Sequence, residues 1–366
     1  MEDFLTITCH NAYNYGAVLQ TYALYTYLTE LGYKGKVINY KNKNFYKAKT
    51  NNIIKKVIRP FVRMPDFVKG NKVFGKFLKD YIVLTDKMSN EKELKEKLPK
   101  SRVYITGSDQ VWNCSPGEVG NDDNYFLSFV DGNNAKKISY AASIAMESLN
   151  EQQEKRMKKL LSDFSEISVR EQTAVNILNK MGYSNVNQVI DPVYLLSIDL
   201  WKKLLKKSTL IEKLKEEKYI LVYGFLRQKN VYDYAKRLAK NKHCKIYNVN
   251  TLIEDFTLNT DKYFWNVSPE DFLALIYYAE DIVTNSFHGV SFSIIFNKNF
   301  HLFGKKGNSS SRMFDLVKML GLEKRIVSEK EGLLLTETDY NEAKQKLVIK
   351  INESKEYLKN IFQKED

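Results

Sequence analysis

The chain has 366 residues, 43% hydrophobic and 13% aromatic, with 16 Gly and 6 Pro; it is longer than one core usually supports and apolar enough for two, which excludes a disordered or fibrous chain. Its +13 charge arises from 57 Lys+Arg against 44 Asp+Glu, and its three cysteines, Cys9, Cys114 and Cys244, lie too far apart for a zinc site or a disulfide framework. Without a basic segment leading into an apolar run at the start, or any apolar stretch of about eighteen residues, neither export nor a membrane span is expected, and the reading is a cytoplasmic protein.

In chain order, residues 4–8 read as a strand, 16–31 as a helix stopped by Gly32, and 36–40 as a second strand. Residues 102–106, 137–140, 166–169 and 188–190 read as further strands, with helices over 151–161 and 171–181. The rhythm then restarts: strands at 219–223, 245–249, 281–284 and 300–303, and helices at 228–240, 269–278, 289–296 and 310–320. Strands spaced by helices predict parallel sheets covered on both faces, an α/β architecture of two Rossmann-like doubly wound domains. The charged, helical stretch 202–218 is the best connection between them. The expected division is 1–205 for the first domain, 206–335 for the second, and a closing helix in 336–366 that packs back on the first.

Between Lys34 and Lys79 there are fourteen Lys/Arg and one acid, Asp66, interleaved with Phe45, Tyr46, Phe61, Phe67, Phe74 and Phe77. This segment is either a solvated face or an attraction for anionic lipid or a phosphorylated substrate, which would bring the protein to the inner face of the membrane. No helix-turn-helix, zinc-finger or RNA-binding signature accompanies it, so no nucleic-acid partner is expected.

Two such domains would place a site in the cleft beyond the carboxyl ends of their strands. Four polar motifs fall there. After the first strand comes His10-Asn11-Ala12-Tyr13-Asn14-Tyr15-Gly16-Ala17-Val18-Leu19-Gln20, a turn into a helix whose N–H groups could meet a phosphate or polar ligand, or which merely caps the helix. Gly107-Ser108-Asp109-Gln110-Val111-Trp112-Asn113 offers Asp109 as a general base or sugar-hydroxyl anchor, Gln110 as an amide, and Trp112 as a platform for a sugar; an Asx-type turn is the alternative. In Ser168-Val169-Arg170-Glu171, Arg170 could fork onto a carboxylate or phosphate, or pair at the surface with Glu171 or Glu166. Thr284-Asn285-Ser286-Phe287-His288-Gly289 sets one of only four histidines where a helix opens, as a proton donor or phosphate contact, or as a capping or buried residue.

Absences narrow the chemistry. The chain has no GxxxxGK[ST], GxSxG or HExxH, which argues against a nucleoside triphosphatase, a serine hydrolase or a zinc peptidase. No metal site and no cofactor are expected. Cys9 and His10 are adjacent on a strand and point to opposite faces, so they do not form a thiol dyad.

The combination NYGAVLQTYAL, GSDQVWN, YAASI, SVREQTA, IDPVYLL and NSFHGVSFSIIF, in this order and spacing from about Thr8 to Arg325, resembles the polysaccharide pyruvyl transferase family. That resemblance implies a GT-B-like pair of domains, phosphoenolpyruvate as co-substrate and donor, and a sugar or lipid-linked oligosaccharide as acceptor in surface-glycan synthesis. On this reading His288 and Asp109 are catalytic. Arg170, Ser286 and Gly289 meet the donor, while Asn14, Tyr15, Gly16, Gln20, Gln110 and Trp112 meet the acceptor. The family's Arg-Leu-His at the fourth motif is Ser286-Phe287-His288 here, so the resemblance implies that another cation, Arg312 or Arg227, supplies the charge. The competing readings are a GT-B glycosyltransferase using a nucleotide-sugar and a catalytically inactive glycan-binding homologue.

Overall fold

The computed structural model describes residues 1–41, 53–131, 135–224, 228–253, 260–304, 311–328 and 332–363, with 53–62 described by backbone alone. In the first part, strands β1 (Glu2–Ile7), β2 (Gly35–Val37), β3 (Ser101–Thr106), β4 (Lys136–Ser139), β5 (Ile167–Val169) and β6 (Val186–Gln188) alternate with helices α1 (Tyr15–Glu30), α2 (Ile53–Tyr81), α3 (Glu91–Lys97), α4 (Glu151–Leu160) and α5 (Gln172–Lys180). Helices α6 (Ile198–Leu205) and α7 (Ile211–Lys215) lead onward. The second part holds β7 (Tyr219–Tyr223), α8 (Lys229–Lys242), β8 (Lys245–Asn250), β9 (Lys262–Trp265), α9 (Pro269–Tyr278), β10 (Asp281–Thr284), α10 (Phe287–Ile295), β11 (Asn299–Leu302) and α11 (Ser311–Met319), before the long α12 (Asn341–Gln363).

Every pairing within these sheets is parallel. The first sheet runs β2-β1-β3-β4, and the bridges Ile138↔Glu166 and Ala142↔Val169 carry the β5-β6 pair alongside β4. The second runs β11-β10-β7-β8-β9. The central strands β7 and β10 are buried on both faces, which is why Tyr-Ile-Leu-Val-Tyr of β7 reads as an unbroken apolar run. Strand order reverses between β1 and β3 in the first sheet and between β7 and β10 in the second, and the crevices at those reversals are where doubly wound sheets bind ligands.

The two sheets share a core. Tyr15 of α1 stacks on Phe272 of α9 with ring centroids 4.5 Å apart, and Trp201 of α6 meets Phe292 of α10 edge-on at 5.0 Å. Helix α12 lies on the first sheet: the Ser354 hydroxyl accepts from the Ile190 N–H at 2.9 Å, and Phe362 stacks on Tyr33.

Several elements depart from the sequence reading, among them the short helix α3, which it did not assign. The α2 helix was not expected, because Pro60 and Pro65 fall inside it and proline removes a helical N–H. Short edge strand β9 was also missed. The single helical connection expected over 202–218 is instead α6 and α7, separated where the Ser208 hydroxyl and the Thr209 N–H donate to Asp271 of α9. The basic segment follows α2 across the domain junction. Its one acid, Asp66, is buried and accepts from the Trp265 indole at 2.9 Å and from the Ile253 N–H at 2.8 Å, while Lys69 donates to the Trp265 carbonyl at 2.6 Å. Asp66 therefore ties the two parts together; residues 42–52 of the segment lie outside the described residues.

Candidate functional site

The loops after β1, β3, β5 and β6 of the first sheet and after β10 of the second converge on one buried polar cluster. Arg170, directly after β5, is its centre. Nη1 donates to Asp191 Oδ2 at 2.7 Å, Nη2 lies 3.7 Å from Asp109 Oδ1, and Nε lies 3.8 Å from Glu171 Oε2. The guanidinium sits 4.1 Å above the Phe287 ring, a flat apolar support for a flat cation. Burial works against the Arg170 charge, but Asp191, Asp109 and Glu171 more than compensate and raise its pKa.

Asp191 follows β6 and was not assigned a role from the sequence. Oδ2 also accepts from the Ser108 hydroxyl at 3.1 Å, Oδ1 accepts from the Val193 N–H at 3.2 Å, and Oδ1 lies 3.7 Å from His288 Nε2. Burial alone would raise this carboxyl; His288 and Arg170 beside it overcome that and hold it well below the usual carboxylate range. The signal was present in Ile190-Asp191-Pro192, an acid directly after the buried Val189 and Ile190 that caps the turn beginning with Pro192.

His288 lies in the first turn of α10, whose N-cap Ser286 accepts from the Gly289 N–H at 3.5 Å. Its imidazole reaches across to α1. A Cβ at Gly16 would come within 2.0 Å of His288 Nδ1, so only glycine lets the two parts approach this closely.

Arg312, in the first turn of α11, is buried next to Arg170. Burial first, then the neighbouring Arg170 cation, lowers it to about 10. The hydrogen-bonding capacity left over is what distinguishes the cluster. Arg170 Nε and Nη2, Arg312 Nε and Nη1, and His288 Nε2 are buried and have no hydrogen-bond partner. Buried donors are rarely left unmet. Two arginines and a histidine with unmet N–H capacity in one low-dielectric cleft can hold a small anion bearing several oxygens, and can pass it a proton.

Of the remaining residues expected at a site, Asp109 sits in the left-handed region (φ 71°) at the mouth of the cluster, 16% exposed. Asn14 caps α1, accepting from the Ala17 N–H at 3.1 Å. Asn14, Tyr15 and Ser286, with Tyr13 and Tyr223, line an adjoining crevice of about 60 Å³. Gln110 is half-buried, and its amide oxygen accepts from Asn113 at 2.9 Å. Three expectations need correction. Trp112 is fully buried, stacked on Phe126 and donating to the Tyr125 carbonyl, so it is a core residue and cannot support a sugar. Gln20 is fully buried, donating to the Thr8 hydroxyl and the Ala17 carbonyl, both at 2.9 Å, and it braces the loop after β1 instead of facing the cleft. Arg170 is not a surface ion pair. Arg227 lies outside the described residues. Burial, and next Asp109, push the Cys9 thiol well up, away from the thiolate form. Among the described residues no group of His, Cys, Asp or Glu could hold a metal ion, and no helix is long and apolar enough to cross a membrane.

Solved structures share the whole architecture. S. aureus MnaA, solved with UDP, is similar with a TM-score of 0.52 at 14% identity over 98% of this chain and 95% of its own. A glycosyltransferase from Rickettsia africae gives 0.52 at 13% identity over 99% of each chain, and the UDP-GlcNAc 2-epimerase of Methanocaldococcus jannaschii gives 0.52 at 13% over 96% and 92%. At such identities the likeness establishes the GT-B-like fold. A comparison with curated proteins finds no significant match. The sequence profile described as polysaccharide pyruvyl transferase matches residues 14–305, which include Asp109, Arg170, Asp191 and His288; the chain belongs to the polysaccharide pyruvyl transferase family.

Proposed function

We propose that this protein transfers the pyruvyl group of phosphoenolpyruvate to a pair of hydroxyls on a glycan sugar, forming a cyclic ketal. The observation that carries this reading is the set of buried nitrogens on Arg170, Arg312 and His288 that make no hydrogen bond. Phosphoenolpyruvate presents a carboxylate, a phosphate and an enol carbon that must be protonated, and this cluster offers two cationic forks and one proton donor. Arg312 stands in for the cation missing at Ser286.

In this mechanism His288 gives a proton to the methylene carbon, and the adjacent carbon becomes oxocarbenium-like. Asp109 takes the proton of the first sugar hydroxyl as its oxygen attacks that carbon. The carbon–oxygen bond to phosphate breaks, and the second hydroxyl closes the ketal. Of the two protons lost by the diol, one replaces that spent on the new methyl group and the other leaves with phosphate. Asp191 holds Arg170 in register throughout, and Phe287 shields one face of its guanidinium from water.

The crevice lined by Asn14 and Tyr223 adjoins this cluster and is the acceptor side on this reading. The outer face of α2 exposes Met64 (60%) and Val68 (62%) ahead of the exposed Lys72, Lys76 and Lys79, which suits an acceptor presented at an anionic membrane surface.

Inorganic phosphate release from phosphoenolpyruvate, measured with galactose- and N-acetylmannosamine-containing acceptors, tests the proposal. Release that needs both substrates and is lost in His288→Ala supports it. Wild-type release by His288→Ala, or transfer from a UDP-sugar in its place, overturns it.

A further inference from the structure

The two halves of the anion cluster come from different domains, Arg170 from the first sheet and Arg312 from α11 of the second. Something must set their spacing, because two buried cations repel. The contact that does so lies one turn along each element. Helix α5 begins at Gln172, and its N-cap residue, Glu171, does not cap it. The Glu171 carboxylate is turned away: Oε1 accepts from the Ser143 hydroxyl at 2.9 Å and from the N–H groups of Ile144 and Ala145, each at 3.0 Å. The N-terminal N–H of α5 that an ordinary cap would take is left for another acceptor.

That acceptor comes from the other domain. Asp315 Oδ2 accepts from the Thr173 N–H at 3.0 Å and from the Thr173 hydroxyl at 2.8 Å. Asp315 stands three residues after Arg312, so both lie on one face of α11. Thr173 stands three residues after Arg170. The pair Asp315–Thr173 therefore runs beside the pair Arg312–Arg170 and fixes how far α11 can move from α5. A carboxylate at the positive end of a helix dipole makes this clasp stronger than a neutral hydrogen bond.

We infer that Asp315 is a positioning residue: by capping α5 from the opposite domain, it holds Arg312 against Arg170 and so assembles the donor-anion site. The inference rests on the proposed function, since it takes phosphoenolpyruvate as the anion. Asp315 touches no substrate in this account. Its loss should weaken the donor and leave the acceptor alone.

The test compares wild type, Asp315→Ala, Asp315→Asn and Thr173→Val, each with its melting temperature recorded. Binding of phosphoenolpyruvate is followed by calorimetry, and the KM for each substrate by phosphate release. Asp315→Ala should raise the phosphoenolpyruvate Kd and KM about tenfold, the size of effect a lost helix cap produces, with acceptor KM unchanged. Asp315→Asn, which keeps an acceptor oxygen, should recover most of the affinity. Thr173→Val, which loses the hydroxyl bond but keeps the N–H bond, should fall between, and it carries the test if Asp315→Ala does not fold. Unchanged donor affinity in both Asp315→Ala and Thr173→Val, or equal losses for donor and acceptor, overturns the inference while the proposed function stands. A wild-type protein that binds no phosphoenolpyruvate overturns both.

Discussion

Two buried histidines lie close together in the second part of the chain, His301 on β11 and His288 in the helix that follows β10, each beside an aspartate and a cation, and they have opposite fates. His301, on β11, is fully buried and fully used. Nε2 bonds Asp281 Oδ1 at 3.1 Å and Nδ1 bonds the Tyr234 hydroxyl at 2.8 Å. That hydroxyl in turn accepts from the Leu334 N–H, and Asp281 accepts from Lys242 at 2.5 Å. Since the carboxylate needs Nε2–H, Nδ1 accepts from Tyr234, and the ring is neutral, in keeping with burial lowering its pKa. His288, after the carboxyl end of β10, has Asp191 at 3.7 Å, beyond a hydrogen bond, and leaves Nε2 unmet next to two arginines with unmet donors of their own. The same residue types build a structural tie in one place and, on the proposed reading, a ligand site in the other. Unmet hydrogen-bonding capacity separates them.

The comparison breaks most visibly under His288→Ala. Losing a positioned proton donor should cut turnover by about 10²–10⁴-fold with the melting temperature nearly unchanged, as steady-state kinetics and a thermal melt would show. Gly16→Ala comes next. Its Cβ would lie 2.0 Å from His288 Nδ1, so the imidazole must move, and a displacement on the ångström scale costs on the order of 10²-fold in rate; kinetics equal to wild type would contradict the close approach.

A third prediction concerns pH. Burial lowers His10 to about 4 from an ordinary value of 6.5, with a smaller opposing effect from the Thr8 carbonyl that accepts from its Nδ1. A depressed value means the folded protein resists protonation there, so its stability is complete above about pH 6.5 and is lost as pH falls towards 4, by roughly 3 kcal/mol in all. Denaturant unfolding across that window should show the slope in the wild type and a flatter one in His10→Gln. The smallest effect belongs to the satisfied histidine. His301→Ala should cost about 1–3 kcal/mol of stability and leave kcat and the phosphoenolpyruvate KM unchanged; an equal loss of activity would remove the distinction between the two sites.

The sequence carried much of the fold because the central strands, such as β7 and β10, are apolar runs and helices begin at recognisable N-caps, as at Asn14 and at Ser268 before Pro269. The loops bearing Asp109, Arg170 and His288 were legible for a topological reason: polar residues immediately after buried strands fall at the cleft. What was not legible depended on direction and distance. Trp112 stands three residues from Asp109, yet the turn sends one to the cleft and the other into the core. Asp191 and Phe287 matter through their contacts with Arg170, from which they are distant in sequence. Asp315 caps a helix that starts 143 positions earlier, from Gln172 to Asp315, and no local pattern announces that.

The central claim is that the unmet donors of Arg170, Arg312 and His288 form a phosphoenolpyruvate site, and ligand-induced thermal stabilisation tests it most directly. Wild type should melt higher with phosphoenolpyruvate, Arg312→Ala and His288→Ala should lose the shift, and UDP-sugars should give none. Stabilisation by a UDP-sugar with no response to phosphoenolpyruvate would contradict the account.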